Sequence, residues 1–159
     1  MNMLSAAALV AAGLVASAVP AAAENLLSTI FAPEQTFSEP KFLAVFPSGS
    51  FTQAFFVQTP QTVMISVSAV CGATGTGNQG VALKLMIDGK AVYPTNQIGN
   101  VFCAADHTPL ATPGSEMHSF VTSVEVKASM ASHSLQLQAI PLGTGTTGRI
   151  KNLSIQVWN

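Results

Sequence analysis

Hydrophobic and polar residues alternate along four stretches of the chain. In residues 62–71 the odd-numbered positions from Val63 to Cys71 are apolar, and in residues 134–140 Leu135 and Leu137 are separated by glutamine. Residues 120–128 and 150–158 follow the same period. A period of two sends successive side chains to opposite faces of a strand, so these stretches predict half-buried antiparallel strands.

Four further stretches are predicted strands: 42–46, 51–57, 81–87 and 91–93, with a shorter one at 101–104. Asp88-Gly89 separates two of them and supplies the positive φ angles of a two-residue hairpin turn. About eight short strands separated by Gly, Ser, Thr and Pro predict an all-β domain, either a two-sheet sandwich or a barrel.

The chain begins with an apolar run at residues 4–19, followed by Pro20 and the small residues Ala21, Ala22 and Ala23. This pattern predicts a signal peptide that is cleaved after Ala23, because the run is short for a membrane span. An uncleaved anchor is the alternative. The predicted organisation is a signal peptide at 1–23, an arm or lead-in strand at 24–40 and a β-sandwich at 41–159. The alanine-rich leader is typical of bacteria, and we expect a secreted or periplasmic protein with no further membrane span.

Charged residues make up only 8% of the chain, six basic and seven acidic, and all of them follow the leader. The near balance argues against nucleic-acid binding, and the apolar content argues against disorder. Serine and glutamine occupy the outward positions of the predicted strands, for example Ser66, Ser68, Gln136 and Gln138. A neutral polar surface favours self-association or neutral ligands.

Cys71 and Cys103 are the only cysteines. An even count in an exported protein predicts a disulfide, which would contribute about 3–4 kcal/mol at this separation. Two buried free thiols are the alternative.

Candidate metal ligands lie close together in the sequence at His107, Glu116 and His118. Imidazole and carboxylate groups suit a divalent cation. Residues 109–114 contain two prolines and a glycine, however, so this region is predicted to be a loop with solvated polar residues. We therefore predict no metal, no cofactor and no catalytic residue, and keep this trio as the alternative site.

Tyr93 and Trp158 are the candidate ligand-binding residues, because flat aromatic rings commonly stack on sugars. Trp158 alternates out of phase with Leu153, Ile155 and Val157, which predicts that it faces away from the core. Covering a sheet face or an oligomer contact is the alternative role for Trp158.

Residues 133–139 and 148–158, which overlap the last two predicted strands and are joined by a Gly/Thr loop, resemble the closing strands of jelly-roll sandwiches of the tumour-necrosis-factor/C1q-like type and of phage or bacterial surface proteins. The resemblance implies a jelly-roll topology and trimeric assembly, and it carries over no functional residue.

Together these patterns predict a secreted, non-catalytic β-sandwich that binds a neutral ligand, a glycan or a surface target. One alternative is a structural subunit of a surface fibre or coat, with residues 24–40 pairing with a neighbour's sheet edge. The other is a metal-dependent hydrolase or lyase.

Overall fold

The structure is a computed structural model that describes residues 23–46, 48–75, 79–94, 100–104, 116–127 and 131–159. It contains eleven strands, which are β1 (Asn25–Phe31), β2 (Gln35–Phe37), β3 (Lys41–Phe42), β4 (Gln53–Phe55), β5 (Gln61–Thr74), β6 (Gly80–Ile87), β7 (Lys90–Tyr93), β8 (Asn100–Ala104), β9 (Glu116–Val126), β10 (His133–Leu142) and β11 (Thr147–Trp158). The predicted all-β class is confirmed, but the predicted count of about eight strands is too low.

The strands form two antiparallel sheets. In the first sheet the order is β1-β11-β5-β9, and β2 also pairs with β11. In the second sheet the order is β3-β10-β6-β7, with β4 pairing with β10 and β8 with β6. When the short neighbours β1/β2, β3/β4 and β7/β8 are each taken as one position, the orders become 1-8-3-6 and 2-7-4-5. This is the strand order of a jelly-roll sandwich.

The core lies between the two sheets and follows the alternation in the sequence. One side of each of the strands β5, β6, β10 and β11 is buried, and its members include Val63, Ile65, Val67, Ala69, Leu83, Leu85, Ile87, Leu135, Leu137, Ala139, Leu153, Ile155 and Val157. We call the buried side of each sheet its inner face and the other side its outer face. The burial of these aliphatic side chains is the main stabilising contribution to the fold.

Residues 24–40 were predicted to be either an arm or a lead-in strand, and they contain β1 and β2. Both strands pair with β11 of the same chain. Two buried side chains attach this segment to the backbone of residues that follow β3 of the second sheet. The Gln35 amide group donates from Nε2 to the Ala44 carbonyl at 2.9 Å and accepts from the Ala44 N–H at 2.7 Å, and the Thr29 hydroxyl donates to the Val45 carbonyl at 2.8 Å.

Strands β6 and β7 form the predicted hairpin. Asp88 and Gly89 both have positive φ angles, 50° and 74°, as a type I′ turn requires. Glycine reaches this conformation at little cost, and aspartate is one of the few other residues that tolerate it.

Cys71 and Cys103 have their Sγ atoms 1.99 Å apart, at disulfide-bonding distance. Cys71 belongs to β5 of the first sheet and Cys103 to β8 of the second, so the bond links the two sheets directly. Both residues are buried.

Candidate functional site

A cleft opens on the side of the sandwich where β9, the last strand of the first sheet, faces β7 and β8 of the second. Its volume is about 300 Å³, at the lower end of the range for small-molecule sites. We call it the aromatic cleft, and it is lined by Leu83, Tyr93, Val101, Phe102, Ser119 and Phe120.

Three aromatic rings of the cleft pack against one another across the gap between the sheets. Tyr93 stacks on Phe120 with ring centroids 4.5 Å apart and an interplanar angle of 19°. Phe102 meets Phe120 edge-on at 6.1 Å. Offset stacking and edge-to-face contacts are the favoured arrangements of aromatic pairs. The rings therefore form a fixed wall for the cleft.

The register of β9 explains why Phe120 and His118 point toward the second sheet. Phe120 lies opposite the buried Val67 of β5, and His118 lies opposite the buried Ala69. Directly opposite residues of an antiparallel pair share a face. The His118 ring consequently reaches Phe102, with 5.7 Å between the ring centroids.

The aromatic cleft carries no formal charge on the residues that line it. Among the described lining residues none is Asp, Glu, Lys or Arg, and Tyr93 carries a hydroxyl group. Ser119 lies opposite Ser68, so its side chain is on the outer face of the first sheet. Apolar walls with a few hydrogen-bonding groups suit a neutral ligand that has an apolar face. A charged ligand would lose its hydration there without gaining a partner among these side chains.

The two predicted ligand-binding residues do not converge. Tyr93 lies in the aromatic cleft and packs against the inner face of the first sheet through Phe120. Trp158 lies opposite Met64 of β5, while its neighbour Val157 is fully buried. Trp158 is therefore on the outer face of the first sheet, as the alternation predicts, and on the opposite side of that sheet from Tyr93.

The predicted metal trio is only partly described. His107 lies outside the described residues, as does the side chain of Glu116. Glu116 and His118 belong to β9 rather than to the predicted loop, with their backbones opposite Cys71 and Ala69. Within the described ranges no three His, Cys, Asp or Glu side chains are grouped so as to hold a metal ion.

A polar cluster that the sequence analysis did not foresee lies at the Asp88-Gly89 turn. Asp88 Oδ2 is 2.8 Å from Nδ1 of His133, the first residue of β10. Asp88 Oδ1 accepts from the Ser134 N–H at 2.8 Å and from the Ser134 hydroxyl at 3.2 Å. In the sequence Asp88 is explained by its turn alone, and its separation of 45 positions from His133 gives no local sign of this contact.

This cluster holds strand ends together and does not activate a nucleophile. The His133 Nε2 atom faces the Lys127 carbonyl at 3.0 Å, while the Ser134 hydroxyl donates to Asp88 and not to the imidazole. A serine nucleophile needs its hydroxyl on the base. The hydrogen bond from His133 is the main cause that lowers the pKa of Asp88, and the Ser134 N–H adds to it.

A second, larger cavity of about 460 Å³ lies beside the first residue of β1 and the end of β11. Among the described residues its lining is mostly polar, with Phe56 as the one aromatic side chain. Glu24 and Asn159 bond across it, the Glu24 N–H donating to the Asn159 side-chain oxygen at 2.6 Å. Because it offers no stacked aromatic wall, the aromatic cleft is the better candidate.

No protein-family model matches this chain, and no curated protein matches it either. The function is therefore argued from the geometry of the site.

Proposed function

We propose that this chain is an exported, non-catalytic β-sandwich that binds a neutral ligand in the aromatic cleft. The observation that carries the proposal is the stacked pair Tyr93 and Phe120 in a cavity of about 300 Å³ whose described lining residues carry no charge. Aromatic rings provide a large contact area with few rotatable bonds, so little side-chain entropy is lost when a ligand binds.

Export is supported by two features. Residues 1–23 have the pattern of a signal peptide, with cleavage after Ala23. Cys71 and Cys103 lie at bonding distance, and disulfides persist outside the reducing cytoplasm. We propose a bacterial protein that acts in the periplasm or outside the cell.

A glycan is the ligand class that fits the cleft best. One face of many sugar rings exposes C–H groups, and these can pack on an aromatic ring. Hydroxyl groups at the ring edge need only neutral donors and acceptors, such as the hydroxyl of Tyr93. Sugar rings carry no charge in their unmodified form, in agreement with the uncharged lining.

The proposal is tested with a glycan array followed by titration calorimetry on the strongest neutral glycan. Tyr93→Ala removes the stacked ring and is expected to weaken binding about tenfold or more, while Tyr93→Phe keeps the ring and most of the affinity. Trp158→Ala is the matched control on the outer face and should change the affinity less than about twofold.

Circular dichroism would verify that each variant is folded. A flat array response, or equal losses for Tyr93→Ala and Trp158→Ala, would contradict the assignment of the cleft.

A metal-dependent hydrolase or lyase that uses His107, Glu116 and His118 remains an alternative proposal. Metal analysis of the purified protein separates it from the binding module. Stoichiometric metal that is lost in a His118→Ala variant would favour the enzyme.

A further inference from the structure

Strand β9 forms one border of the first sheet. In the part of the chain that the structure describes, it pairs only with β5. The pairing runs through eleven consecutive residues, from Glu116 opposite Cys71 to Val126 opposite Gln61, and contains no bulge. A strand paired on one side directs half of its backbone N–H and C=O groups away from the sheet.

The sequence of β9 lacks the features that usually protect such an edge. It contains no proline, lysine or arginine, and Glu116 and Glu125 are its only charged residues. On its outer face Met117 is 74% exposed and Val121 is 54% exposed. A long, regular edge with exposed apolar side chains is a template for another strand.

We propose that β9 pairs in an antiparallel manner with β9 of a second copy of this chain, across a two-fold axis at Val121. This register uses the full length of the strand and brings Val121 opposite its own equivalent. It places Ser119 opposite the partner subunit's Ser123, and Met117 opposite the partner subunit's Glu125.

The charges permit a second copy as the occupant. Glu116 and Glu125 are the charged residues of β9, and in this register Glu125 lies opposite the partner subunit's Met117 and Glu116 opposite the partner subunit's Val126, so no acid faces another acid. The two Glu125 residues lie about eight positions apart, or about 27 Å along the ladder, which exceeds the Debye length of about 8 Å at physiological salt. The net charge of the whole chain is −1, so two copies repel each other only weakly.

A symmetric pair is favoured over pairing with the opposite edge of the same sheet. The strand at that edge, β1, has only seven residues, and its register shifts between Asn25 and Leu27. Pairing β9 with β1 of another copy would also repeat without closing and would produce a filament. The two-fold arrangement pairs only the longer, regular β9 edge and produces a closed dimer.

The same arrangement would add a wall to the aromatic cleft. Phe120 lies on the inner face of β9, and in this register it stands opposite the partner subunit's Thr122. The dimer is independent of any ligand, however, so its test stands or falls separately from the proposed binding function.

The assembly is tested by sedimentation equilibrium on purified protein expressed from the full-length chain, without ligand. We expect a dimer whose dissociation constant rises about tenfold or more in Val121→Lys, because two like charges would face each other across the axis. Gln156→Lys is the matched control, since Gln156 is exposed on the outer face of β11. A wild-type monomer at every concentration would overturn the proposal, as would equal weakening by both variants.

Cysteine cross-linking tests the register. Val121→Cys is expected to form a covalent dimer under mild oxidation, because opposite Cα atoms in an antiparallel ladder lie about 4.5–5.5 Å apart, within disulfide reach. Ser119→Cys alone should not cross-link, since its equivalent lies four positions away, about 14 Å. A mixture of Ser119→Cys and Ser123→Cys should form the mixed dimer. Equal cross-linking of Val121→Cys and Ser119→Cys would overturn the two-fold register.

Discussion

Asp88 and His133 join the turn between β6 and β7 to the start of β10 through a 2.8 Å contact between Oδ2 and Nδ1. The second ring nitrogen of His133 lies 3.0 Å from the carbonyl of Lys127, the residue that follows β9. One buried imidazole therefore links both sheets. Because the carboxylate and the carbonyl are both acceptors, the ring satisfies both contacts when each nitrogen carries a hydrogen.

Asp88→Asn is expected to lower the free energy of unfolding by about 1–3 kcal/mol, because it removes the charge from a hydrogen bond that serves a buried histidine. Asparagine tolerates the positive φ of this turn position, so the hairpin itself should persist. Urea unfolding followed by circular dichroism measures the change. Glu34→Gln, at an exposed acid, is the control and should stay within about 0.5 kcal/mol of the wild type. A wild-type midpoint for Asp88→Asn would contradict the role of this contact.

Acid should remove the stabilisation that the Asp88–His133 contact contributes. The fold lowers the pKa of Asp88 from its ordinary value of 3.8, chiefly through the hydrogen bond from His133. The stabilisation is therefore fully present above that ordinary value and disappears as the pH falls through the lower value of the folded state. Thermal unfolding of the wild type and of Asp88→Asn is measured from about pH 6 to about pH 2, in steps of about one pH unit. The difference between their unfolding temperatures should shrink below about pH 4. A constant difference across this interval would show that the Asp88 charge is not responsible.

The short distance between the Sγ atoms of Cys71 and Cys103 predicts that the stability of the fold depends strongly on redox conditions. The double variant Cys71→Ala, Cys103→Ala is expected to lose about 3–4 kcal/mol of stability, because the bond closes a loop across 32 residues between the two sheets. Urea unfolding with and without reductant measures this. Reductant should lower the midpoint of the wild type and leave that of the double variant unchanged. A wild type that is insensitive to reductant even when unfolded would contradict a bond between these cysteines.

The alternation in the sequence was sufficient to predict β5, β10 and β11, together with the side chains that each buries, because burial of one sheet face imposes a period of two. The Asp88-Gly89 hairpin was equally predictable, since its turn chemistry is local. The start of β9 was not predicted, because two prolines and a glycine in residues 109–114 suggested that the loop continued through His118.

Contacts between distant residues could not be predicted. The Gln35 side chain makes two hydrogen bonds to the backbone of Ala44, as a neighbouring strand would do with its own backbone. In the sequence, however, a glutamine in a weakly patterned segment is expected to be exposed to solvent. The stacking of Tyr93 on Phe120 likewise depends on how two sheets meet. The sequence therefore marked Tyr93 as a candidate but gave no sign of the cavity around it.

Gly148 tests how closely β2 packs on β11. A Cβ atom at this position would overlap the ring of Phe37 and lie 2.8 Å from Cγ2 of Val81. Gly148→Ala should therefore cost about 1–3 kcal/mol through overpacking, measured by urea unfolding. The smaller side chain of Phe37→Leu should relieve part of this cost in the double variant, which shows as a coupling energy in a double-mutant cycle. Gln156→Ala, exposed on the same strand, is the control. If Gly148→Ala is as stable as that control, or if its cost is the same with Leu at position 37, the ring of Phe37 does not set the requirement for glycine.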